Sequence, residues 1–112
     1  MIHYMKLTKE PFEKIASGQK IIESRLFDEK RQMMNIGDEI IFSQNDDSER
    51  VVRTTIKALY RYDMFENLFS DCKVQDFGGG SKDFLLNEVS QFYSEKEQEK
   101  YGVVGIKIEL QK

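Results

Sequence analysis

Lys20, Glu23 and Arg25 fall within the stretch Gly18-Gln19-Lys20-Ile21-Ile22-Glu23-Ser24-Arg25. An ammonium, a carboxylate and a planar guanidinium so close together suit an anionic or amide-bearing ligand. Arg25 can grip a phosphate or carboxylate with two parallel N–H bonds. Glu23 can hold Lys20 or accept from the amino group of a base. Lys20 becomes a general base or nucleophile only as a neutral amine, which requires a site stripped of water. The alternative is a solvated strand edge, where a Glu23 ion pair contributes about 0–1 kcal/mol. Lys30 and Arg31 can line a phosphate path, or simply solvate a loop. Tyr93 and Tyr101 can stack a base, or pack in the core with a hydrogen-bonded hydroxyl. His3 is the only histidine and stands in a strand-like run beside Met5 and Leu7, so it reads as packed. Cys72 has no histidine at a suggestive spacing, and no metal ligand set is visible.

The charged stretch must be held by its neighbours. Ile2 to Leu7 alternates like a strand, with His3, Met5 and Leu7 on one face. Thr8 stands at an N-cap position and Pro11 in the first turn, where its missing N–H costs little. Phe12, Ile15 and Ala16 then give one apolar helical face, and Gly18 ends that helix. An extended segment over 21–27 places Glu23 and Arg25 on one face and Ile22 and Ser24 on the other.

The segment 27–35 reads as a charged loop and Asn35-Ile36-Gly37-Asp38 as a turn. Strands are predicted over 39–43 and 51–60, the second with Val52, Thr54, Ile56 and Ala58 on one face. The polar segment 44–50 connects them. Met64, Phe65, Leu68 and Phe69 have helical spacing near 62–70. Gly78-Gly79-Gly80 is a connector; no Gly-Lys-Ser/Thr follows it in the order a phosphate loop needs. Ser81 caps a helix over 82–93 with Leu85, Val89 and Phe92 in its apolar stripe. Ser94 and Glu97 form a capping box. A strand over 102–110 closes the chain, with Val104, Ile106, Ile108 and Leu110 facing one way. Five strands with no regular strand–helix alternation argue against a parallel nucleotide-binding sheet. They predict a small, mixed, strongly curved sheet or barrel with helices at its rim.

Composition sets limits. A chain of 112 residues with 39% hydrophobic and 33% charged side chains fits one soluble globular domain with one core. The net charge of −3 and pI of about 5.2 argue against a broadly basic nucleic-acid binder. The distribution is uneven. From Lys6 to Arg31 seven Lys/Arg face five Asp/Glu, whereas from Asp83 to Glu99 Lys96 stands alone against five acids. A compact ligand is therefore favoured over a long duplex. One cysteine excludes an internal disulfide, and no apolar run approaches the roughly 20 residues that span a bilayer. With no apolar leader core near the N-terminus, a cytoplasmic protein with no membrane partner is expected.

The motif Gly18-x-Lys20-x-x-Glu23-x-Arg25 is similar to the G-x-K-x-x-E-x-R signature of ASCH domains, in the PUA-like superfamily. Other pieces agree in order. Lys6-Leu7 and Pro11-Phe12 precede the motif; Ile36-Gly37-Asp38, Ile40 and Phe42 follow it. Tyr93-Ser94 and Glu97 then precede Tyr101-Gly102-Val103-Val104. The resemblance implies a single α+β domain over 1–112: a small mixed β-barrel of five or six strands, short helices at its rim and a cleft beside the signature strand. It implies a link to RNA. Some small bacterial members are amidohydrolases of acetylated cytidine, using a Lys of this motif, a Thr three residues later and a Glu from further on. Lys20 matches that Lys, and Glu23 stands where the Thr would be. The reading is thus an RNA- or nucleotide-like ligand bound by Lys20, Glu23 and Arg25, with Lys30, Arg31, Tyr93 and Tyr101 as further candidates and no cofactor. A small amidohydrolase working through Lys20, or a protein-interaction module, is the alternative.

Overall fold

A computed structural model describes residues 1–111. In chain order the elements are β1 (Ile2–Leu7), α1 (Lys9–Ala16), β2 (Ile22–Leu26), α2 (Glu29–Gln32), β3 (Glu39–Gln44), β4 (Asp47–Tyr62), α3 (Phe65–Asp71), α4 (Lys82–Ser90), α5 (Glu95–Tyr101) and β5 (Val103–Leu110). The strands form one sheet in the order β1-β3-β4-β5-β2. β1 runs parallel to β3; every other pair is antiparallel. β1 and β2 end the sheet and do not pair with each other, so the curled sheet is a barrel left open along one seam.

Both faces of the sheet are covered. On one, Met5, Leu7, Ile40, Phe42, Ile56, Val104, Ile106 and Ile108 pack with Phe12 and Ile15 of α1. On the other, Ile22, Leu26 and Val103 pack with Phe65, Leu68, Phe69, Phe77 and Leu85. Gly105 permits close approach of α3: a Cβ there would lie 2.8 Å from Leu68 Cδ1. The start of α3 lacks a side-chain cap of its own, because its N-cap residue is Met64. Instead the buried Gln98 reaches across from α5, and its Oε1 accepts the Phe65 N–H at 3.0 Å. Gln98→Ala strands that buried donor, so urea unfolding should show a loss of about 1–3 kcal/mol, and Gln98→Glu, which keeps an acceptor, should lose less. A loss of only a few tenths in the alanine variant would remove Gln98 as the cap.

His3 Nε2 lies 2.9 Å from Asp38 Oδ2 and ties β1 to the turn before β3. The His3 ring and the Asn35 N–H hold the Asp38 carboxyl at about 2.

Several predicted boundaries move. β4 starts at Asp47 and runs to Tyr62, so the polar connection over 44–50 is a hairpin much of which is strand. A bulge between Ile56 and Ala58 shifts the register: Ile56 opposes Ile108, Ala58 opposes Lys107 and Leu59 opposes Ile106. The extra residue reverses the alternation. Leu59, not Ala58, therefore joins Val52 and Ile56 in the core, while Tyr60 and Tyr62 join the opposite layer. Segment 27–35 is not all loop. The Asp28 side chain accepts from Arg31 N–H and caps the short α2. Thr8 occupies the N-cap position of α1 but its side chain makes no capping bond. α4 ends at Ser90 rather than reaching Tyr93.

A charged cleft at the open seam

Lys20 is pinned from two sides. α1 ends as predicted: Gly18, at φ +83°, donates to Ile15 O at 3.0 Å, and Lys20 N–H reaches back to Lys14 O at 3.0 Å. Lys20 also bridges to Phe77, and Ile21 N–H bonds Asp76 O at 2.9 Å. Gly78, at φ +102°, lets that segment pass close, since a Cβ there would sit 3.1 Å from Lys14 Cδ and 3.5 Å from Lys20 Cβ.

Register fixes the next two charges. Glu23 opposes Ile106 and Arg25 opposes Val104 on β5. Directly opposed side chains share a face, so both project to the face that carries Ile106, Val104 and the first apolar layer. Glu23 is 3% exposed. Lys20 Nζ stands 3.4 Å and Arg25 Nη1 3.8 Å from its Oε1. The same oxygen accepts the Ser24 N–H at 2.9 Å. Burial alone would raise the Glu23 carboxyl; the charges of Lys20 and Arg25, with the Ser24 N–H, outweigh it and hold the group below its ordinary value. Burial would likewise discharge Arg25. Glu23, and the Tyr93 hydroxyl next to the guanidinium, hold it charged.

Among the described residues, three buried polar atoms have no protein partner: Glu23 Oε2, Arg25 Nε and Arg31 Nε. Their residues line a cleft of about 530 Å³ between the seam of the sheet and α4, and the three atoms themselves are buried beneath its surface. Lys20, Glu23, Arg25, Arg31 and Tyr93 all line it. Arg31 is half committed, with Nη1 3.3 Å from Asp28 Oδ2. Lys30 lies elsewhere, in a hollow against Ile2, Tyr4 and Met5 that Arg31 also borders. Tyr101 is also apart. It lines a separate hollow beside Phe27, Arg61 and Met64, with Lys100 Nζ 5.0 Å from its ring centre.

Among the cleft residues that sequence reasoning missed are Lys6 and Phe92. Lys6 belongs to it because β1 forms the far side of the seam, a relation set by topology. Phe92 belongs to it because α4 stops three residues early, at Ser90, and releases Phe92 from the apolar stripe. Among the described residues, no group of three His, Cys, Asp or Glu side chains could hold a metal ion, and no helix is long and apolar enough to cross a membrane.

The family model of the ASCH domain matches residues 5–112. The chain belongs to the ASCH domain family. Among solved structures, an ASCH domain from Lactobacillus crispatus shares the fold, with TM-score 0.67 and 14% identity over 96% of this chain and 79% of that one. Nearer in sequence is the hypothetical protein PH0355, 34% identical over 99% of this chain and 100% of its own, with TM-score 0.87. Protein PF0455 from Pyrococcus furiosus is 31% identical over 98% of this chain and 97% of its own, with TM-score 0.75. A comparison with curated proteins gives no match. The predicted α+β architecture of ASCH domains, a PUA-like curled sheet with short helices at its rim, is the one observed.

Proposed function

We propose that this ASCH domain binds RNA or a nucleotide-like ligand in the cleft lined by Lys20, Glu23 and Arg25. One observation carries the reading: the buried, ionised Glu23 sits with Lys20 and Arg25 in the lining of one cleft, its Oε2 without a protein donor and Arg25 Nε without a protein acceptor. A buried polar atom left unmatched is costly, on the order of 1–3 kcal/mol. A ligand that carries donors next to acceptors matches a lining that offers both a carboxylate and a guanidinium. Nucleobase edges carry that pairing of N–H and C=O or ring nitrogen. The family's link to RNA supports the same choice.

Charge limits the size of the ligand. Lys6, Lys20, Arg25 and Arg31 stand against Glu10, Glu23 and Glu88 along the cleft. Four cations against three carboxylates leave an excess of one, enough for one or two phosphates. The amidohydrolase alternative draws less support, because Lys20 is ion-paired with Glu23 at the position that would hold a Thr in the enzymatic relatives.

The test is a calorimetric titration with the four nucleoside 5′-monophosphates and a mixed single-stranded RNA pentamer, at low and moderate salt. Binding is expected, with a log–log salt slope of only about −1 to −2, since few phosphates are contacted. No binding to any of these at low salt would end the reading. A steep slope would place the RNA on a broad surface outside the cleft.

A further inference from the structure

Phe92 is out of place for a core residue. Its spacing from Leu85 and Val89 predicts burial, yet it is 72% exposed while Leu85 is 5% exposed. Its backbone is nevertheless anchored. Phe92 N–H donates to Val89 O at 3.1 Å, and Tyr93 N–H donates to the same carbonyl at 2.9 Å. Tyr93 is locked in turn, its ring stacked on Phe65 with centroids 5.6 Å apart and its hydroxyl beside Arg25. The Phe92 ring, 6.4 Å from the Tyr93 ring and tilted by 54°, thus stands on a fixed stem at the rim of the cleft.

We infer that Phe92 is the stacking platform for the base of a nucleotide held in this cleft. The assignment rests on the nucleotide reading above and adds the residue that takes the base's flat face. An exposed aromatic ring in water gains by covering one face, and every nucleobase offers a π-face of matching size. The neighbouring charges select a nucleotide over an apolar peptide: Lys20, Arg25 and Arg31 line the same cleft and supply the counter-charge for a phosphate. The charged wall formed by Lys20, Glu23 and Arg25 meets the base at its edge, and Phe92 meets it from above. Phe92 is then a positioning residue for any base, while the Glu23–Arg25 pair reads its edge.

The chain contains no tryptophan, so Phe92→Trp installs a single fluorescent reporter at the rim. The experiment titrates wild type, Phe92→Ala, Phe92→Leu and Phe92→Trp with the four nucleoside 5′-monophosphates and with ribose 5-phosphate. Loss of base stacking should weaken nucleotide binding by roughly ten-fold in Phe92→Ala, and leave ribose 5-phosphate unaffected. Phe92→Leu should be impaired like alanine, because it keeps apolarity but loses the flat face. Phe92→Trp should bind at least as well as wild type, with its emission quenched on saturation. Wild-type affinity in Phe92→Ala or Phe92→Leu, or an unquenched tryptophan in a protein that binds, would overturn the stacking role and leave the cleft reading intact. A wild type that binds none of the nucleotides would overturn both.

Discussion

Glu23→Ala should lower the unfolding free energy by about 3–5 kcal/mol, the cost typical of removing one partner from a buried ion pair. The substitution leaves Arg25 and Lys20, whose side chains are only 18% and 14% exposed, without their counter-charge. It also strands the Ser24 N–H, which has Glu23 Oε1 as its acceptor. For a chain of this size the corresponding fall in melting temperature is roughly 12–20 °C. The pH dependence follows from the depressed carboxyl. A group whose folded value lies below its unfolded one contributes stability in full above the unfolded value, and that contribution fades as pH falls through the folded one. Wild type should therefore lose stability below about pH 4.5 through this residue, and Glu23→Gln should have a flatter acid limb. Urea titrations between pH 7 and pH 3 read both effects. Equal stability of wild type and Glu23→Ala at pH 7 would mean that the three charges do not act as a unit.

The second large effect concerns binding. Arg25→Ala should weaken mononucleotides by roughly ten- to a hundred-fold, as expected for the loss of a charge-assisted hydrogen bond. Arg25→Lys keeps the charge but loses the planar fork and its Nε donor, so it should recover only part of the affinity. Calorimetry on variants with unchanged circular dichroism separates binding from folding. Undiminished affinity in a folded Arg25→Ala protein would move the ligand away from this wall of the cleft.

Much of this site was legible in the sequence because its logic is local. Gly18 ends α1, two residues later Lys20 meets the chain from Phe77, and period-two alternation in β2 puts Glu23 and Arg25 on one face. The depth of their burial was not legible. It follows from register, since Glu23 and Arg25 oppose Ile106 and Val104 on a strand eighty residues away in the chain. The separation of Tyr101 from the cleft had the same origin: Tyr93 precedes α5 and Tyr101 is its last residue, and tertiary packing alone sends them to different hollows. Phe92 failed for a different reason. Helical periodicity identifies a stripe but not where the helix stops, and the Ser94 capping box that starts α5 takes the chain out of α4's frame.

The seam has one more consequence, for the protein's company rather than its ligand. Just beyond the two ends of β2, Phe27 N–H donates to Gly102 O and Ile108 N–H of β5 donates to Ile21 O, so the alternation points the Ser24 N–H away from β5, toward the outer border of the sheet. A free border of this kind is where a second polypeptide can zip on and extend the sheet into an aggregate. Glu23 folds its Oε1 over that donor at 2.9 Å and occupies it. An incoming strand meets a buried negative charge where it needs an amide hydrogen. The carboxylate that completes the charged cluster thereby also closes the one hydrogen-bonding position that Ser24 N–H would offer on the outer side of β2.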